Sequence, residues 1–251
     1  MEGGAAALTD YLKVLIFSLR AKIAHFRQPD TIITQATYPF PPRPTMHGLL
    51  ASVLGIDFST REGKAFLNDP HFIGLSLLSP VRTVCVQMSL LGKGFVSGEG
   101  DFFNRPTVVE MVVEPRYRVY YAGKWVEELS EKIRANKSVY HTYLGSAYCL
   151  TFPEYEDTVE ARLLQPVPED PIPVHTVVPR ELAAHIALEA GAAYAAARAM
   201  PYQHCGGRIF ERTVTVLYEE KGETLKVRFK EKPPFPYLAV ELPGGEVACL
   251  W

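Results

Sequence analysis

Four prolines fall within six positions, Pro39, Pro41, Pro42 and Pro44, inside the stretch TYPFPPRPTMHGLLASVLG that runs from Thr37 to Gly55. Each proline fixes its own φ and biases its predecessor away from the α region, so the segment is extended and stiff as far as Thr45. Thr45 then reads as an N-cap. Leu49, Leu50, Val53 and Leu54 recur at helical spacing, and Gly55 supplies a stop. Two uses of such a rod fit the residues. It covers a sheet edge with Tyr38 and Phe40 in the core, or it holds those aromatics outward beside Arg43 with no ordering cost on binding.

With 251 residues, 47% of them hydrophobic, the chain has enough apolar material for one large domain or two small ones. A net charge of −2 gives no overall attraction to nucleic acid, so any such argument is local. Between residues 11 and 48, Lys13, Arg20, Lys22, Arg27 and Arg43 stand against Asp30 alone, an anion-binding surface. Between 154 and 170, six acids stand against Arg162, a solvated or protein-facing one. The four cysteines are far apart and form no C-x-x-C pair, which points to reduced thiols in a cytoplasmic protein and to no zinc site. The apolar run Val14–Leu19 follows Glu2 and Asp10 and is too short for a signal peptide. Leu182–Met200 is too polar to cross a membrane.

YLKVLIFSL (Tyr11–Leu19) reads as a buried first strand, and Ser79–Leu91 and Arg105–Gly123 as further β-rich runs. The separator GKGFVSGEGDFFN, with Gly92, Gly94, Gly98 and Gly100, predicts a protruding hairpin or mobile loop. Lys124–Lys137 is an amphipathic helix with Trp125, Leu129 and Ile133 on one face, and DTVEARLLQPV returns as a strand. The order β, α, β, β, α, β is that of an α+β, ferredoxin-like domain whose helices cover one face of a four-stranded sheet and leave the other available. That domain covers residues 1–167. After the Pro-rich linker Pro166–Val174, residues 168–251 form a smaller β-rich domain. It has an Ala-rich helix near Arg180–Ala199 and hairpins around Lys221–Gly222 and Gly244–Gly245.

The first strand, the Phe26–Arg27 pair, the TYPFPPRPT rod, the HGLLASVLG helix and the later YLGSAYCL together resemble the Cas-five family. This is a RAMP-superfamily group of CRISPR-associated proteins found in type I interference complexes. The likeness is densest over Val14–Gly55, and the order of elements agrees to about Val167. The resemblance implies a modified RNA-recognition fold that grips the 5′ handle of the guide RNA (crRNA) in Cascade, joined to the backbone subunit and the large subunit. The length and C-terminal extension look like the I-B branch. No cofactor is implied.

On that reading Arg20, Arg27 and Arg43 pair with phosphates and Tyr38 and Phe40 stack on bases, with His25, Phe26 and Thr45 along the same groove. The glycine-rich insertion resembles the family's thumb-like hairpin. Lys93, Phe95, Phe102, Phe103 and Arg105 would there meet guide RNA or a neighbouring subunit. Arg116 and Arg118 alternate with Tyr117 and Val119 and make one strand face cationic, either an RNA platform or a solvent face. Lys226, Arg228 and Lys230 alternate likewise and read as a solvated strand. Gly206 and Gly207 lie beside Arg208 and Arg212 in a stretch that is either a turn or a backbone approach to RNA.

One branch of the family cuts the repeat RNA without metal, which requires a base, an acid and a phosphate-binding cation. That branch resembles a pattern of a tyrosine near the Pro-rich element and a later adjacent Lys-His pair. Here Tyr38 stands for the first, but the nearest substitute for the pair is Lys137 with His141, four residues apart. The expectation is a non-catalytic RNA-binding subunit, with repeat-RNA endoribonuclease as the alternative.

Overall fold

A computed structural model describes residues 10–29, 34–93, 102–165, 167–205 and 209–251, with the backbone alone at residues 92, 93, 102 and 103. Numbering only strands of four residues or more, the first half of the chain contains β1 (Tyr11–Arg20), α1 (Arg43–Leu54), α2 (Arg61–Asn68), β2 (His71–Leu77), β3 (Thr83–Lys93), β4 (Phe102–Val113), β5 (Arg116–Gly123), α3 (Val126–Arg134) and β6 (Glu154–Leu163). The second half contains β7 (Ala183–Ala187), β8 (Tyr194–His204), β9 (Phe210–Glu219), β10 (Leu225–Phe229), β11 (Leu238–Glu241) and β12 (Val247–Leu250). None of the described helices is long and apolar enough to cross a membrane.

The main sheet is antiparallel throughout, in the order β12-β11-β6-β1-β5-β2. Strand β1 is apolar on both faces, and the period of two sorts its side chains. Leu15, Phe17 and Leu19 join the core that holds Leu50 and Val53 of α1 and Leu129 and Ile133 of α3. Val14 and Ile16 point the other way, into a second cluster with Tyr120, Ala122, Ala161, Val240, Ala248 and Leu250. That second face was expected to be free, and it is not. Ile73 and Trp251 exchange reciprocal backbone hydrogen bonds, N–H to carbonyl at 3.4 and 3.1 Å, so β2 at one edge meets the end of β12 at the other. The six strands close on themselves around Val14, Tyr120 and Val240, each with no exposed surface. Closure removes two unpaired edges and the apolar face together.

Several expectations need correction. The second strand of the sheet is β2, in HFIGLSL, whereas Thr83–Lys93 and Phe102–Val113 pair only with each other and with two short segments near residues 23 and 34. Helix α2 has few apolar residues and was not anticipated. Thr60 caps it by accepting from the Gly63 amide at 3.0 Å. Helix α1 begins at Arg43 rather than after Thr45, with Pro42 at its N-cap and Pro44 in its first turn. The Ala-rich stretch is not helical. It forms β7 and β8, and β8 lies along Phe210–Glu219 with Ala197, Met200 and Tyr202 buried. The helical preference of alanine is a few tenths of a kcal/mol per residue and yields to a waiting partner strand rich in Val and Thr.

The hairpin expected around Gly222 is a crossing between sheets, because β9 pairs with β8 while β10 pairs with β7. The Glu219 carboxylate organises that crossing by accepting from the amides of Ala193, Lys221 and Glu223 at 2.7–3.0 Å. Gly222, at φ +88°, lies where a Cβ would come within 2.3 Å of the Leu77 carbonyl. The turn is therefore pressed against the end of β2. The hairpin at Gly244–Gly245 is present as β11 and β12.

Beneath the head of α1, His47 and His71 face each other with ring centres 4.9 Å apart. The Nε2–H of His71 donates to the Phe66 carbonyl at 2.7 Å, which leaves Nδ1 to accept from the Tyr121 hydroxyl at 3.0 Å. Neither ring nitrogen of His47 has a partner among the described residues. Burial holds the His47 pKa well below the ordinary imidazole value, and Arg43, His71 and His204 lower it further. Burial likewise lowers His71, against smaller upward pulls from the Phe66 carbonyl and Asp69.

The sign follows directly. Unfolded histidines take up protons below about pH 6.5 while these stay neutral, so stability is full above that pH and falls as pH drops, by up to about 1.4 kcal/mol per pH unit for each. Denaturant midpoints measured between pH 7.5 and 5 should therefore decline. His47→Leu, which loses no hydrogen bond, should flatten the decline, and an unchanged slope would exclude His47 as its source.

Candidate functional site

After α3 the chain runs along α1 without regular structure. The amides of Val139 and Tyr140 donate to the carbonyls of Val53 and Ser52 at 3.4 and 3.0 Å. It then folds back as an irregular hairpin, with a bridge between Tyr143 and Leu150 and hydrogen bonds joining Leu144 to Cys149 and Thr151 to Thr142. Alternation decides which side chains it hides. Thr142, Leu144, Cys149 and Thr151 are buried, whereas Tyr140, Tyr143, Tyr148 and Phe152 are 53, 42, 47 and 67% exposed. Leu150 is half exposed beside them. Four aromatic side chains of this segment are thus exposed.

Three contacts pin this hairpin to the cationic N-terminal segment. The His25 amide donates to the Leu144 carbonyl at 3.2 Å. The Thr151 hydroxyl donates to the Arg20 carbonyl at 2.8 Å. Gly145, at φ +86°, sits so close to the chain that a Cβ would lie 2.0 Å from the His25 carbonyl oxygen. Consequently Arg27, two residues beyond His25, and Arg20 flank the aromatic surface. Arg116 pairs with Arg20 across the sheet in register. Arg20 is held by Glu154 at 2.6 Å, but Arg27 and Arg116 are exposed and make no ion pair among the described residues. A shallow pocket beside them is lined by Thr45, Gly48 and Ser52 of α1 and by Tyr143 and Gly145.

The other expected site residues lie elsewhere. Tyr38 and Phe40 are buried, one donating its hydroxyl to the Ala199 carbonyl at 2.8 Å and the other set edge-on against Tyr218 at 5.3 Å. Neither presents a face for stacking. Phe26 packs against Tyr117. Arg43 is taken up by the Trp251 and His71 carbonyls, at 3.2 and 2.8 Å, and lies over the Tyr202 ring. Desolvation lowers its pKa. His25 donates from Nδ1 to the Glu110 carbonyl at 2.7 Å, and burial keeps its pKa below the ordinary value, so it is a neutral packing group. Arg118 is bound to Glu156 at 2.7 Å and lies 3.9 Å from Glu246, at the end of the closed sheet.

Arg105 is exposed on β4. The side chains of Lys93, Phe102 and Phe103, and all of Phe95, Gly94, Gly98, Gly100 and Arg208, lie outside the described residues. Lys137 and His141 are exposed at the start of the aromatic segment, whereas the Tyr38 hydroxyl is bound in the interior. The aromatic hairpin is the part that sequence reasoning did not assign to the site. Its signal was the spacing of Tyr140, Tyr143, Tyr148 and Phe152 around Gly145.

The model of a family described as CRISPR-associated protein (Cas_Cas5) matches residues 14–83. No curated protein matches the chain by sequence. Among solved structures, a CRISPR protein from Archaeoglobus fulgidus is similar at TM-score 0.53 and 14% identity, over 95% of this chain and 99% of that one. A chain of a CRISPR RNA-guided surveillance complex is similar at TM-score 0.52 and 11% identity, over 84% of this chain and 91% of that one. At these identities the likeness is one of fold.

The docking of the hairpin gives a stability test with an internal control. Gly145→Ala should cost about 2–4 kcal/mol, because it combines a left-handed backbone with a blocked Cβ. Gly48→Ala, in α1 with open space around it, should stabilise by about 0.5–1 kcal/mol. Urea unfolding of the two variants checks both, and a neutral Gly145→Ala would show that the hairpin is not held against His25.

Proposed function

We propose that this chain, a Cas-five family protein by its residues 14–83, is a non-catalytic subunit of an RNA-guided CRISPR effector complex that holds the 5′ handle of the guide RNA. The observation that carries this reading is the outer surface of the 139–152 segment. It carries four exposed aromatics and is bonded to His25 and Arg20, close in sequence or register to Arg27 and Arg116, which have no ion-pair partners among the described residues. Single-stranded RNA is bound through stacking faces and unpaired cations, and every base has a face to stack.

The fold supports the reading at a finer level. The inner four strands run β6-β1-β5-β2, which is fourth, first, third, second in chain order, with α1 and α3 in the two crossovers. We read this order as the ferredoxin-like, split βαβ arrangement. We read the β3–β4 hairpin, which follows the second and precedes the third of these strands with Val84, Val86 and Leu91 exposed along it, as the thumb. It would reach a neighbouring backbone subunit or the RNA, while the acidic strand β6 is suited to a basic protein partner such as the large subunit. Cleavage is not part of the proposal. Tyr38, the candidate base, has its hydroxyl committed to Ala199 in the interior.

Filter binding of handle RNA tests the assignment. Arg27→Ala with Arg116→Ala should reduce the salt slope by about 1.4, two phosphate contacts on a single strand. Tyr143→Ala with Phe152→Ala should weaken binding at least tenfold, since stacking contributes about 1–3 kcal/mol per base. Unchanged affinity in both pairs would place the RNA elsewhere. Labelled repeat RNA incubated with the protein, with and without divalent metal, should remain intact. Cleavage abolished by Tyr38→Phe or His141→Ala would establish the endoribonuclease instead.

A further inference from the structure

A wide cleft lies outside the surface described above, lined among others by Leu164, Val167, Glu169, Arg228, Lys230 and Lys232. The three cations occupy alternate positions at and beyond the end of β10. Arg228 lies on β10, Lys230 directly follows that strand, and Lys232 lies in the bend beyond. None of the three forms an ion pair among the described residues, although Lys226, one step earlier in the same alternation, is bound to Glu189 at 2.6 Å. Glu169 and Glu231 also line the cleft, so its excess is one positive charge. Tyr237, stacked on Phe229 at 4.9 Å, is half-buried in the same cleft.

We infer that this cleft binds the phosphate backbone of a single-stranded nucleic acid without regard to sequence, as a site separate from the handle surface. Three unpaired cations gathered in one cleft call for a polyanion, and an aromatic beside them accepts a base of any identity. Pro168, Pro233 and Pro236 stiffen the walls, so little freedom is lost when a strand enters. The strand is held through Arg228, Lys230 and Lys232, and the base nearest Tyr237 packs on that ring.

The test uses the whole chain and a fluorescein-labelled fifteen-nucleotide oligouridine that lacks any handle sequence. Arg228→Ala, Lys230→Ala and Lys232→Ala together should weaken its binding at least tenfold at low salt and lower the salt slope by about 2, three contacts at about 0.7 each. The conservative Arg228→Lys should keep the wild-type slope. The Arg27→Ala, Arg116→Ala protein should still bind the oligouridine, which separates this inference from the handle assignment. Oligouridine binding that is unchanged in the triple variant, or lost only in the Arg27 and Arg116 variant, overturns the inference. So does competition by a polyglutamate peptide as effective as that by unlabelled oligouridine, which would make an acidic protein surface the occupant.

Discussion

The seam at Trp251 is the contact on which the rest of the molecule depends. Its carbonyl accepts from the Ile73 amide at 3.4 Å and from Arg43 Nε at 3.2 Å, and its own amide donates to Ile73 at 3.1 Å. Arg43 adds the His71 carbonyl at 2.8 Å and the ring of Tyr202, so one guanidinium ties the head of α1 to β2, β8 and the last strand. A guanidinium held away from water is stable there only because rigid acceptors meet its donors. The proline rod now has an explanation. It spans the seam, with Tyr117 donating to the Pro39 carbonyl, Phe40 against Tyr218 and Tyr38 bonded to Ala199. Stiffness places these anchors at fixed intervals, and the aromatics serve the interior.

Closing the sheet also decides which surfaces a ligand can reach. Val14, Tyr120 and Val240, which an open sheet would offer to a ligand, are enclosed. At the rim, a hairpin that buries Thr142 and Leu144 leaves its tyrosines exposed. Charge is sorted by the same geometry. Arg20, Arg118 and Arg162 face carboxylates of Glu154, Glu156 and Glu241, so a phosphate would have to displace an acid. Arg27, Arg116 and Arg228 have no such competitor among the described residues. An overall charge of −2 therefore coexists with local groups of unpaired cations.

Elements with strong periodicity were legible in the sequence. Strand β1, helix α3, strand β6 and the Gly244–Gly245 hairpin stand where alternation or helical spacing put them. Strand β2 was not, because HFIGLSL is a short apolar run with no period to read, and its role is set by β5 and Trp251. The Ala-rich stretch was misread because composition favours a helix while the partner strand β9 lies far along the chain. At the site, Arg20, Arg27 and Arg116 were visible as charge. The aromatic hairpin was not, since its orientation is fixed by Gly145 against the His25 carbonyl, a contact between distant segments. Burial of Tyr38 and Phe40 was one of the two readings the proline rod allowed, whereas the inward turn of Arg43 was hidden for the same reason.

The central claim is that a closed sheet moves RNA contact to the rim hairpin. Photocrosslinking of the protein to handle RNA substituted with 4-thiouridine, followed by mass spectrometry of the linked peptides, addresses it directly. The account predicts crosslinks to the peptide containing Tyr140, Tyr143, Tyr148 and Phe152, with further links near Arg27. Crosslinks concentrated on Val14, Tyr120 or Ala122 of the inner sheet face would show that the sheet opens to receive RNA, and would contradict it.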